Sequence, residues 1–188
     1  MRSDYRTVCL DQLGVLLARG PDLLPFLQGQ LSNDIALLSP QRSLLAGYHN
    51  PQGRVIAAGE PQVYRATSEE FVAQMLNLDA LGAIAFDKGC YTGQEVIARA
   101  HYRGRVKRRM QRFVTVPGQQ PLEPGDAGEL SDGRAFRTVD GVMLTDGRYE
   151  FLAVAPLEAG ETDGSPHAGL AATGRIDAET LPLPYALP

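Results

Sequence analysis

The hydrophobic positions of this chain change period several times, and each change marks an element. Residues 7–20, TVCLDQLGVLLARG, alternate loosely and are rich in β-branched and aliphatic side chains. That pattern predicts one bent strand, or a strand pair turning at Asp11 and Gln12. Residues 21–28 read as a short helix, with Gly20 before it, Pro21 in its first turn and Leu23, Leu24 and Leu27 along one side. LLAGYH and RVIAAG flank Asn50, Pro51, Gln52 and Gly53, a turn signal in which Pro presets φ and Gly accepts a positive φ, so a hairpin is predicted over 44–58. From Glu60 to Phe86 neither a helical nor a strand period is sustained, which predicts extended backbone and loop.

After this stretch, Thr92-Gly93-Gln94-Glu95 has the form of a capping box. A short helix is expected from about Thr92 to about Tyr102, with Gly104 stopping it. The run VKRRMQRFVTV after Arg105 reads as a strand, and Pro, Gly and Asp then punctuate the chain at short intervals through Gly147. That is the pattern of a small all-β unit with tight turns. The predicted fold class is α+β, with an amino-terminal part over residues 1–103 and a small β-barrel-like domain over 104–188.

Composition narrows the picture. With 188 residues and 44% hydrophobic content, the chain has material for one substantial core or two small ones. No apolar run approaches the roughly 18 residues of a spanning helix, and MRSDYRTVCLDQ lacks the apolar stretch of a signal peptide, so a cytoplasmic protein without a membrane partner is expected. The two cysteines, Cys9 and Cys90, lie far apart. That spacing fits free thiols in a reducing compartment better than a disulfide or a zinc site. His49, His101 and His167 are scattered, and no metal site is expected.

Net charge is −4 but unevenly placed, because seven of the 18 lysines and arginines fall within residues 99–112, where there is no acid. Such a ribbon suits an anion: a phosphate, a polyglutamate tail or a nucleic acid such as tRNA. It equally suits pairing inside the molecule, with residues 113–188 supplying the acids. Both readings stand at this point.

Cys90 lies just before the predicted helix, with Lys88 two residues away. Helix dipole and ammonium together are expected to lower the thiol pKa and make the sulfur reactive. His101 is nine residues further on, about two and a half helical turns, too far along the helix to serve Cys90 as a base. The plainer alternative is a small side chain packed in a tight corner. Gly89 and Gly93 bracket the turn and would let backbone amides approach a ligand. Tyr91 and Tyr102 could stack on a planar ring or face the core.

The motif K-G-C-Y-T-G-Q-E, followed by V-I-A-R and H-Y-R-G-R-V-K-R-R, resembles the signature of the YgfZ family. These are folate-binding proteins, related to the aminomethyltransferase (T-protein) of the glycine cleavage system, that support iron–sulfur cluster assembly or repair. F-L-Q-G-Q-L-S-N-D-I at 26–35, H-N-P-Q-G-R-V at 49–55, N-L-D-A-L-G-A-I at 77–84 and L-P-L-P-Y-A-L at 181–187 agree in order. The resemblance implies a T-protein-like amino-terminal part, tetrahydrofolate as cofactor, iron–sulfur assembly or client proteins as partners, and Cys90 as the working residue. Around it, Lys88, Gly89, Tyr91, Gly93, Gln94 and Glu95 would form the binding motif, with Arg99, Arg103 and Arg105 as cations for the folate glutamate tail.

Two departures refine this. Related T-proteins carry a catalytic aspartate on the 44–58 hairpin, whereas here the matching run ends in Ala57 and Ala58, which disfavours tetrahydrofolate-dependent aminomethyl transfer. The chain also passes directly from this hairpin to Ala58-Gly59-Glu60-Pro61, without the long central segment that completes the folate pocket in the family. Apolar surface on the hairpin and on residues 77–86 is therefore expected to be left uncovered, which predicts a homodimer. A tRNA-binding module using the 99–112 ribbon is the remaining alternative.

Overall fold

In a computed structural model, residues 16–58, 63–104, 106–158 and 172–188 are described. The amino-terminal part contains helix α1 (Leu23–Gln30), the hairpin β1 (Gly47–His49) and β2 (Val55–Ala58), and helix α2 (Gln94–Tyr102). Strands β3 (Arg108–Thr115), β4 (Ala127–Leu130), β5 (Ala135–Met143), β6 (Tyr149–Pro156), β7 (Ala172–Ile176) and β8 (Ala178–Leu181) follow. Among the described residues no helix is long and apolar enough to cross a membrane.

The six later strands form one sheet in the order β7-β4-β5-β6-β3-β8. All neighbours are antiparallel except β4 and β7, which are parallel. The edge strands β7 and β8 are separated in sequence only by Asp177, so the sheet curls until its two edges nearly meet. This is a nearly closed barrel, in which curling removes the exposed edges of an open sheet. Strand alternation then sorts side chains into two cores. Phe113, Phe136, Phe151, Tyr149 and Ile176 fill the barrel, with Phe151 ringed by Phe113 at 5.3 Å and Phe136 at 5.5 Å.

Met110, Val139 and Val154 face the other way. They join Val55, Phe71, Leu76, Leu78 and Ile97 in a second core that spans the sheet and the amino-terminal part. Strand β3 is buried on both faces for this reason. The aperiodic segment after β2 does form loop and one short 3-10 turn, Ala73–Leu76, yet it supplies much of that core. Val55 N donates to the Phe71 carbonyl and Glu69 N to the Val55 carbonyl, both at 2.8 Å, and an isolated bridge joins Arg54 to Val72, so the segment is pinned to the start of β2.

Several expectations change here. Of the strand expected over 7–20, residues 7–15 lie outside the described residues, and 16–20 carry no regular structure. The apolar run 77–86 is covered within the chain: Leu78, Ala83 and Ile84 are buried, and Phe86 stacks on His101 at 3.9 Å. On the hairpin, Val55 is buried while Tyr48 is exposed, and other large exposed apolar side chains include Leu24, Phe26, Leu37 and Leu38 on and around α1 and Val142 and Met143 on the barrel.

The capping box is not made. Gly93, not Thr92, is the N-cap of α2, at φ +82°, and no side chain caps the helix. The cause is packing. A Cβ on Gly93 would stand 2.6 Å from the Asn50 carbonyl oxygen and 2.9 Å from Gly53 Cα, so the start of α2 rests directly on the hairpin turn. A Gly93→Ala substitution combines that clash with a left-handed backbone and is expected to cost about 2 kcal/mol or more. Urea unfolding measures it, and a change within ~0.5 kcal/mol of zero would show that the turn does not press on the helix.

Candidate functional site

Four separated segments meet around Cys90. Lys88 Nζ donates to the carbonyls of Gln28 and Leu31 at 2.7 Å and of Asn33 at 2.9 Å. Burial pulls its ammonium below the ordinary lysine value, opposed by the Asp34 charge. Thr92 N donates to the Gly29 carbonyl at 3.2 Å. Ser32, itself buried, donates its hydroxyl to Ala83 O at 2.7 Å and accepts from Gly47 N at 2.9 Å. Asn33 Nδ2 reaches Leu45 O and Gly82 O at 2.7 and 3.0 Å. The residues after α1, the hairpin, the 82–85 stretch and the Cys90 loop are thereby tied into one node, because these short irregular segments satisfy their backbone groups on one another.

The loop itself is clamped on both sides of the thiol. Lys88 anchors it before Cys90, while after it Tyr91 is buried and its N–H donates to Gln94 Oε1 at 3.3 Å. Gly89 and Cys90 lie exposed between these anchors, and Cys90 is a free thiol. The arrangement presents a sulfur on a held loop, open to a large partner.

Lys88 is therefore not a cation aimed at the thiol, as its sequence position suggests. Its three donors hold the carbonyls at the end of α1, where a positive charge also meets the negative end of the helix dipole. Tyr91 points inward: its ring lies 6.5 Å from the ring of His49, and burial raises its phenol to about 12. His49 is buried as well, and burial lowers its imidazole to about 4. Neither His49 nitrogen nor the Tyr91 hydroxyl has a hydrogen-bond partner among the described residues.

The basic ribbon is largely spent inside the molecule. Arg109 forms a two-pronged pair with Asp79, at 2.9 Å on each prong, with both side chains less than a tenth exposed. Arg112 Nε lies 2.5 Å from Glu150, Arg99 is 2.7 Å from Glu95 one helical turn away, and Arg108 is buried. Of these three acids, Glu150 comes from the carboxy-terminal part, and Asp79 and Glu95 come from the amino-terminal part. Arg103 is exposed at the end of α2, and Arg105 lies outside the described residues.

Tetrahydrofolate requires groups for the pterin edge and cations for its glutamate carboxylates. The motif residues do not fit the pterin. Lys88 and Gln94 are committed to backbone groups, Tyr91 is buried, and Gly93 is pressed against the hairpin. A shallow cavity of about 260 Å³ lies beside α2, lined by Glu95, Ala98, Arg99, Tyr102 and Arg103. Its cations suit a carboxylate tail but not a fused ring.

Sequence reasoning missed two further sites. One is the Asn77, Asp79 and Arg109 network. The other is a cleft on the outer barrel face, whose residues come from strands and a tail that no local motif marks. Compared with models of known protein families, the chain matches none.

Proposed function

We propose that this protein is a thiol-presenting factor of the YgfZ type that supports iron–sulfur cluster assembly or repair, with Cys90 as its working group. One observation carries the reading. The only exposed residues of the K-G-C-Y stretch are Gly89 and Cys90, on a loop anchored on either side by Lys88 and Tyr91. Packing alone would not need a clamp around an exposed sulfur, whereas delivery to a protein partner would. The segments that build the clamp are the ones that carry the family resemblance, which adds support.

Hydrolysis of a Cys-His kind is disfavoured. His49 is buried against Tyr91, the exposed His101 has its ring stacked on Phe86, and among the described residues neither ring makes a hydrogen bond to Cys90. Aminomethyl transfer lacks its carboxylate, since Ala57 and Ala58 close β2. The nucleic-acid reading loses three of its seven cations, Arg99, Arg109 and Arg112, to Glu95, Asp79 and Glu150, and Arg108 to burial. No step is assigned to folate.

The test joins access to consequence. Iodoacetamide should label Cys90 to completion in the native protein, and a Cys90→Ser variant should fold normally but lose the capacity to sustain iron–sulfur enzyme activity in cells that depend on this protein. Full support by the serine variant would end the proposal. So would a Cys90 that reacts only after denaturation.

A further inference from the structure

A second site lies on the barrel, sharing no residue with the Cys90 node. Strands β3, β5 and β6 turn Met110, Val142 and Leu152 outward on one face. Leu183, Pro184 and Tyr185 of the carboxy-terminal tail stand beside that face and border an open cleft of about 430 Å³. This is within the range of small-molecule pockets, which are typically ~300–1,000 Å³ and mainly apolar with a few placed polar groups.

The walls are fixed by buried polar bonds rather than by chance packing. Asn77, fully buried and in a left-handed backbone, donates Nδ2 to the Met110 carbonyl at 2.8 Å and to Tyr185 Oη at 3.2 Å. Arg109 donates to the Asn77 Oδ1 at 3.4 Å while paired with Asp79. One buried network thus ties the tail to the strand opposite it. Pro182 and Pro184 stiffen the tail on either side of Leu183.

Charge decides what the cleft takes. Its three ionic side chains are Arg112, Glu150 and Asp140. Arg112 and Glu150 satisfy each other at 2.5 Å. Asp140 is left without a cation among the described residues. Its Oδ1 accepts from Tyr64 Oη at 3.0 Å and from Gly141 N at 2.8 Å, which orients the carboxylate and leaves Oδ2 for a ligand. Its charge is felt nearby: after burial, Asp140 is the next cause that raises the Tyr64 and Tyr149 phenols.

We infer that this cleft binds a small organic cation, an amine carried on a flat or aliphatic apolar body, with the ammonium at Asp140 and the body against Met110, Leu152 and Leu183. An apolar wall with one oriented, uncompensated carboxylate favours that pairing over a neutral or anionic ligand, because the partly desolvated ion pair is stronger than the same pair in water.

Tryptamine and indole-3-propionic acid share an indole and differ in the sign of their charge. Titrated into the full-length protein and followed by amide NMR, tryptamine should shift the Gly141, Val142 and Leu152 signals. It should bind at least about tenfold tighter than the acid, the ratio expected of one favourable charge contact. Asp140→Asn should erase that preference. Because Asp140→Asn also alters the Tyr64 contact, Val142→Lys provides a second arm: residue 142 is exposed, so the new ammonium should block tryptamine while thermal stability stays unchanged. Equal affinity for both indoles, shifts elsewhere than the cleft, or tryptamine binding undiminished in Val142→Lys would each overturn the assignment.

Discussion

An Asp79→Ala variant is expected to lose about 3–5 kcal/mol of folding stability, enough to unfold a marginal protein at physiological temperature. The reason is the company Asp79 keeps. Its carboxylate takes both prongs of Arg109, and both side chains are nearly inaccessible, at 5% and 7%. Removing the acid leaves a buried guanidinium whose remaining acceptors are the Gln74 carbonyl and Asn77 Oδ1, at 3.1 and 3.4 Å. Those neutral partners do not offset the desolvated charge. The loss should spread to the tail, because Asn77 also holds Tyr185 and the Met110 carbonyl. Replacing both partners with apolar residues, as in Asp79→Leu with Arg109→Met, should restore most of the loss, since the pair itself stabilises little beyond its own desolvation. Urea unfolding of the single and double variants measures this. A single variant within about 1 kcal/mol of wild type would show that the pair is open to water.

How much of this was legible in the chain follows from what each signal depends on. The hairpin was visible because its turn is local: Asn50 accepts from Gly53 and Arg54 N–H groups within five residues. Helix α2 is legible from its local punctuation, with Gly93 before it and Gly104 after it, and strand β3 from the run that follows Arg105. The cap of α2 was misread because Thr92 to Glu95 has the letters of a capping box, but the space belongs to Asn50 and Gly53, forty residues earlier. Local spacing carries no information about such an approach.

The charges teach the same lesson. Lys88 beside Cys90 in sequence suggests a thiol neighbour, yet its partners are carbonyls 55 to 60 positions away. The 99–112 ribbon looks like an unbroken positive face, but Arg99 pairs along α2 with Glu95, and Arg109 and Arg112 of β3 meet Asp79 and Glu150 from two other segments. The aperiodic 60–86 stretch reads as extended backbone and loop, and its described residues are that apart from the 3-10 turn Ala73–Leu76. Its role as core was hidden because burial there comes from irregular packing against Ile97, Met110 and Val154, not from a repeating face. The cleft over Met110 and Leu152 was equally hidden, since its walls are assembled from three strands and the last residues of the chain.

Acid should weaken the amino-terminal part well before it weakens the carboxylate network, and His49 is the cause. Its ring is 1% exposed in β1, stands against Gly47 and Leu78, and burial holds its imidazole near 4 instead of the ordinary 6.5. The sign is fixed by which state takes the proton. Below about 6.5 the unfolded chain binds a proton at His49 that the native chain does not, so stability is full above that pH and falls as pH drops towards 4. The drop from 6.5 to about 4 corresponds to a loss of about 3 kcal/mol across this window. The neighbouring phenol of Tyr91, raised to about 12, stays neutral throughout and offers the imidazolium no counter-charge. Asp34, Asp132 and Asp146, whose native values are lowered, release their contributions only below their ordinary 3.8, in a separate and more acid range. Chemical denaturation of the wild type at pH 7, 6, 5 and 4.5 should therefore show a progressive fall that a His49→Gln variant lacks, even if the variant starts less stable. Parallel slopes in the two proteins would mean that His49 is protonated in the native state, and that its ring reaches a partner or water through an opening in the hairpin.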